Sequence, residues 1–222
     1  MDLHQKIVAY HSGLGGDPHH RYRSWEHCYQ FFRAKTQAEI IEQRENAALQ
    51  LGFYLASWGM YRGSSFLLQH AYTVHLGVVD CLAAQEYSVL WGKDVGSEKE
   101  DVTLVPVILA AVEGVREAYK PFGKATDTLV TKVLLGTFGC LPACDRFFID
   151  GFNRSGFSYS YLNDRFVGRV LGFCNTHLAA LRKEQARIEA GGGVRYPLMK
   201  LVDMYFWQIG SESGGRNSEP EE

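Results

Sequence analysis

Apolar residues recur at helical spacing along most of the chain, and no stretch alternates as a half-buried strand would. Ser24 is expected to cap a helix from Trp25 through Phe32, and Thr36 and Glu39 have capping-box spacing. They open a long helix predicted through Ile40, Ile41 and Leu49 to Trp58, which Tyr61-Arg62-Gly63-Ser64-Ser65 interrupts. A third helical stretch is expected from Phe66 to about Trp91, bent near Thr73 or Gly77. After a polar loop at 92–101, Asp101 can cap a helix over about 102–119, with Pro106 tolerated in its first turn. Lys120-Pro121-Phe122-Gly123 ends it, Thr126 or Asp127 opens another, and Gly136-Thr137-Phe138-Gly139 closes that one. Pro142 leads into a short helix at about 144–151, and 153–160 is a loop rich in Ser, Gly and aromatics. A long helix over about 161–189 ends at Gly191-Gly192-Gly193. Pro197 suits the first position of a last apolar helix, closed by Gly210.

This pattern predicts an all-α fold, a single compact helical domain of about eight helices over residues 1–210. The loop at 92–101 and the break after 119 leave open a division into lobes at 20–119 and 124–210. Residues 211–222 are too polar to pack and are expected to be a disordered acidic tail.

Composition narrows the class. The chain has 222 residues, 46% hydrophobic and 22% charged, which excludes collagen, a disulfide scaffold and wholesale disorder. No apolar run reaches the roughly 18 residues of a membrane span, and MDLHQKIVAYHS lacks the layout of a secretory signal. A soluble cytoplasmic protein with no membrane partner is the expectation. Five cysteines, an odd number without close pairs, argue against a disulfide framework. His19, His20, His27 and Cys28 match no standard zinc spacing, so no metal is expected. The net charge of −2 is unevenly placed: residues 116–200 sum to +6 and residues 201–222 to −4. The second half is thus a basic body with an acidic end.

Three constellations could carry chemistry. Arg62, Ser64 and Ser65 stand between two helices, where exposed N–H groups and a guanidinium could hold an anion; a plain serine cap is the other reading. Lys132 and Asp145 bracket a glycine-containing turn that can bring them towards one cleft; alternatively, Asp145 only caps its helix. Arg146, Arg154, Tyr159 and Tyr161 belong to a basic and aromatic stretch that could meet phosphates and unpaired bases, although most of its phenylalanines suit a core. No Walker A loop, H-E-x-x-H or G-x-S-x-G motif is present.

The stretch from Thr131-Lys132-Val133-Leu134-Leu135 through Leu141-Pro142-Ala143-Cys144-Asp145 resembles the lysine, turn and aspartate segment of helix-hairpin-helix DNA glycosylases. It looks closest to abridged bacterial relatives of that family. The last helix, Met199-Lys200-Leu201-Val202-Asp203-Met204-Tyr205-Phe206-Trp207, is similar to their closing helix. The resemblance implies a DNA partner and base excision, with Asp145 supporting loss of the base and Lys132 as the amine nucleophile. It also implies that a flipped base could stack on Trp58, Tyr61 or a tyrosine of the 157–161 loop. The turn 136–139 reads GTFG rather than the family's Gly-x-Gly hairpin, and the family's four-cysteine iron–sulfur pattern is absent, so no cofactor is expected. The alternative is a non-catalytic interaction protein, or a subunit of a bacterial multiprotein system, with other proteins as partners. A third reading rests on Arg21 and His27, whose separation is similar to that in HEPN ribonucleases.

Overall fold

The computed structural model describes residues 2–13, 17–192 and 194–214. The described residues form ten α-helices and five short 3-10 segments, with no strand among them. The helices are α1 (Leu3–Ser12), α2 (Ser24–Arg33), α3 (Gln37–Glu42), α4 (Arg44–Ser57) and α5 (Leu76–Leu82). They continue with α6 (Val105–Tyr119), α7 (Asp127–Gly136), α8 (Arg146–Arg154), α9 (Asp164–Ala190) and α10 (Leu198–Gly214). The all-α expectation holds, and no helix among the described residues is long and apolar enough to cross a membrane.

Local chemistry explains several of the helix starts. Thr36 and Glu39 form the full capping box of α3, and Thr126, Asp145 and Asn163 cap α7, α8 and α9 through their side chains. Other boundaries differ from expectation. Ser24 does not cap α2; it lies inside the first turn, and its buried hydroxyl has no hydrogen-bond partner among the described residues. The long helix through Trp58 is two helices, broken at Gln43 (φ −106°, ψ 28°). The single helix expected over 66–91 is replaced by 3-10 segments at 66–69, 72–75 and 85–90 around the short α5. Asp101 does not cap α6; its carboxylate takes the backbone N–H groups of Gly96 and Glu98 and fixes a 3-10 segment at 99–104. The helix α1, which buries Leu3, Ile7 and Tyr10, is an addition to the expected set. The last helix runs past Gly210 to Gly214, so residues 211–214 are helical rather than tail, and residues 215–222 lie outside the described residues.

Tertiary demand accounts for the broken 66–91 stretch. His75, fully buried, lies between the hydroxyls of Tyr61 (2.6 Å) and Tyr119 (2.7 Å). That bridge ties the segment after α4 to α6, a placement a continuous helix would not provide.

The core is one cluster of buried apolar side chains running from Leu3 to Ile209, so residues of both 20–119 and 124–210 belong to it. Helix α10 is central and packs on α8, α1 and α9. Its crossing with α8 is backbone on backbone. A Cβ on Gly151 would stand 1.8 Å from the Phe206 carbonyl oxygen, and one on Gly210 would stand 2.0 Å from that of Phe147. The two glycines thus let α8, whose cap is Asp145, press directly on α10.

Candidate functional site

Helix α4 ends in a Schellman motif. Met60 N–H bonds to Leu55 C=O (2.9 Å) and Gly59 N–H to Ala56 C=O (3.0 Å), with Gly59 at φ 77°. This turn leaves the Trp58 carbonyl free, and Lys132 of α7 donates its Nζ hydrogen to it at 3.0 Å. One turn back in α4, the Tyr54 hydroxyl donates to the backbone carbonyl of Lys132 (3.2 Å). Tyr54 fits there because Gly136 has no side chain; a Cβ would stand 2.4 Å from the ring. The segment from Tyr54 to Met60 therefore holds Lys132 through the Trp58 carbonyl and the Tyr54 hydroxyl.

Asp145 is brought to the same place from the other side of the turn. The loop before it is pinned at two backbone N–H groups: Cys144 donates to the Thr131 hydroxyl (2.8 Å) and Ala143 to the Asp203 carboxylate (3.1 Å). One Asp145 oxygen caps α8 by accepting from Phe148 N–H (3.0 Å); the other lies 3.8 Å from Lys132 Nζ. Burial pushes the Lys132 amine below the ordinary lysine range; Lys200 and Arg62 add to the shift, and Asp145 and Asp203 oppose it. Lys132 is 5% exposed.

These two groups line a cleft of about 810 Å³. Arg21, Arg62 and Arg146 also line it, and among the described residues none of the three has a carboxylate within ion-pair distance. Arg21 lies over the Tyr22 ring (4.6 Å) and Arg146 over the Phe147 ring (4.7 Å). Two aromatic pairs complete the lining: Tyr22 against Trp58 (4.5 Å between centroids) and Phe147 against Trp207 (5.1 Å). The cleft thus combines a desolvated amine, a carboxylate, guanidinium groups without carboxylate partners, and ring faces. Such a set suits an anionic ligand bearing a planar group, with an electrophilic carbon presented to the amine.

Of the residues singled out in the sequence, Lys132, Asp145, Arg62, Ser65, Arg146, Arg21 and Trp58 come together here. Ser65 also caps the 3-10 segment at 66–69, accepting from Leu67 N–H. The others lie elsewhere. Ser64 is exposed and does not line the cleft, and Arg154 pairs with Asp150 at the far end of α8 (3.0 Å). Tyr159 is turned into the body, where its hydroxyl donates to Asp127 (2.5 Å). Tyr161, 62% exposed, lines a separate groove of about 740 Å³ that shares Thr126 with the cleft. Of the Arg21 and His27 pair, Arg21 lines the cleft and His27 does not. No cluster of His, Cys, Asp and Glu among the described residues could hold a metal.

Sequence reasoning missed the pair behind the cleft. Lys200 Nζ donates to Asp203 (2.8 Å) and to the Tyr10 hydroxyl (3.2 Å), and lies 4.6 Å from the centre of the Trp58 ring. Both residues are buried, and burial pushes the Asp203 carboxyl up. The signal was present as a lysine and an aspartate three apart in an otherwise apolar helix. The chain matches no family model, and no curated protein or solved structure shows significant similarity to it.

Proposed function

We propose that the chain binds nucleic acid in this cleft and excises a base there, in the manner of the DNA-glycosylase-like proteins its lysine, turn and aspartate segment resembles. The observation that carries the reading is the buried Lys132 amine 3.8 Å from Asp145, in a cleft that Arg62 and Arg146 also line. In the reaction the Lys132 lone pair forms a bond to the sugar C1′ while the C1′–base bond breaks. The bonding electrons leave on the base, which takes up the proton lost from Nζ. The nitrogen lone pair then forms the C1′=N bond as the C1′–O4′ bond breaks, and O4′ takes a proton from water. The protonated imine is the species borohydride reduces. Asp145 supports the positive charge that develops on the sugar. Burial favours this role for Lys132, because its lowered pKa makes the free amine available at lower pH than on an exposed lysine.

The test is borohydride trapping on an oligonucleotide containing an abasic or damaged site. A covalent adduct at Lys132 is expected, lost in Lys132→Ala and slowed by about a hundredfold or more in Asp145→Asn. An adduct of undiminished yield in Lys132→Ala refutes the assignment.

A protein-contact reading has one observation in its favour. Leu49 (47% exposed) and Phe53 (66% exposed) are four apart on α4 and share a face. Charge substitution of Phe53 that abolishes co-purification of a partner, with no trapping in the unaltered protein, would select it.

A further inference from the structure

Three features of the molecule bear on which form of nucleic acid the cleft accepts, a question that rests on the nucleic-acid reading above. The first is the number of guanidinium groups at the cleft. Arg21, Arg62 and Arg146 converge on one opening of about 810 Å³ without carboxylate partners among the described residues. Of the cations towards the adjoining groove and α8, Arg154 pairs with Asp150, Arg116 with Asp127 and Lys120 with Glu117, while Lys124 has no carboxylate within ion-pair distance among the described residues. A duplex carries a phosphate about every 1.7 Å of its axis, and firm grip on it draws on roughly six to ten phosphate contacts. Three guanidinium groups around one opening match no more than about three phosphates.

The second feature is the glycine turn after α7. A backbone turn that grips phosphate must present its N–H groups to solvent. Gly136, Thr137, Phe138 and Gly139 are all buried. Gly139 N–H is taken by Leu134 C=O (2.8 Å), and a Cβ there would stand 2.7 Å from the Pro197 side chain. The turn is core and cannot reach a second strand.

The third feature is the lining itself. Tyr22, Trp58, Phe147 and Trp207 bring ring faces and edges to the same opening as the arginines. Stacking on aromatic side chains is the means by which unpaired bases are held irrespective of sequence. A base within a duplex has both faces covered by its neighbours and cannot reach such a lining without being extruded.

We infer that the cleft accepts an unpaired nucleotide unit, a base with its flanking phosphate in a single strand or as a free nucleotide, and does not accept a duplex.

Equilibrium binding of a labelled single strand, its perfect duplex and an unlabelled mononucleotide competitor, at several salt concentrations, tests this. The single strand should bind about tenfold or more tighter than the duplex, in line with one stacked base. Its log affinity should fall with log salt at a slope near −2, from about 0.7 per phosphate over three contacts. Arg62→Gln and Arg146→Gln, both at exposed positions, should each flatten that slope by about 0.7 without loss of helix content. Competition by the mononucleotide would assign the site to free nucleotides, and its failure would assign it to strands; either supports an unpaired unit. Duplex binding equal to or tighter than the single strand overturns the inference and leaves the base-excision reading standing. Binding of none of the three, together with no trapping at Lys132, overturns both.

Discussion

Asp145 uses its two carboxylate oxygens for different ends, one on the Phe148 N–H and one towards Lys132. The two roles can be separated, because asparagine caps a helix nearly as well as aspartate while alanine does not. Asp145→Asn should therefore unfold at nearly the denaturant concentration of the unaltered protein yet trap about a hundredfold or more slower. Asp145→Ala should lose trapping and about 1 kcal/mol of stability as well. Equal destabilisation by both would mean that the oxygen facing Lys132 matters to the fold. His75 gives a second residue-scale expectation. Burial lowers its pKa from 6.5 to about 4, so between those values the unfolded chain binds a proton that the folded chain does not. The stabilising contribution is then full above pH 6.5 and is lost as pH falls towards 4. The loss amounts to about 3 kcal/mol at most, from roughly 1.4 kcal/mol per unit. Denaturant unfolding at pH 7 and pH 4.5 should show a larger drop for the native chain than for His75→Gln. Equal drops would show that His75 titrates alike in both states.

At the scale of elements, the α8–α10 crossing and the α9 surface offer opposite outcomes for one substitution. Gly151→Ala or Gly210→Ala drives a methyl group into a facing backbone carbonyl, so the helices must separate. The expected cost is about 3 kcal/mol or more, above the usual range for overpacking because backbone cannot rotate away. Gly172 is helical and exposed, and a Cβ there would meet nothing within 4 Å, so Gly172→Ala should stabilise by about 0.5–1 kcal/mol. Melting temperatures of the three variants check both signs. The same elements show what the sequence reveals. Caps written in local chemistry, Thr36 with Glu39, Thr126 and Asp145, were readable because a few neighbouring residues decide them. The 3-10 segments over 66–90 were not, since the residue that organises them, His75, acts through Tyr61 and Tyr119. Lys132 and Asp145 could be paired from the length of the turn between them. Arg21 and the Trp58 carbonyl are set by contacts between elements far apart in the chain, which no local pattern encodes; the Lys200–Asp203 pair is local in sequence, and only its burial against α1 and the end of α4 is not.

For the whole molecule, the net charge of −2 says less than where opposite charges meet, and the most consequential meeting is at its centre. Lys200 and Asp203 face each other between α1, the end of α4 and the loop before α8, with Tyr10 and Trp58 against the ammonium group and Ala143 N–H on the carboxylate. Removing one member of such a pair leaves an uncompensated buried charge and costs about 3–5 kcal/mol, whereas removing both costs far less. Lys200→Met should accordingly destabilise the entire fold, and Lys200→Met/Asp203→Asn should recover most of the loss while still accepting the Ala143 N–H. The pH dependence has a definite sign. Burial already raises the Asp203 carboxyl, and without Lys200 it rises further above its value in the unfolded chain. The folded variant then holds a proton that the unfolded chain releases, so its deficit shrinks as pH falls and grows as pH rises. Because one core joins residues on both sides of 92–124, the loss should appear as a lowered midpoint of one calorimetric transition. Two separated transitions, only one of them shifted, would mean that the halves fold independently and that the pair serves only one of them.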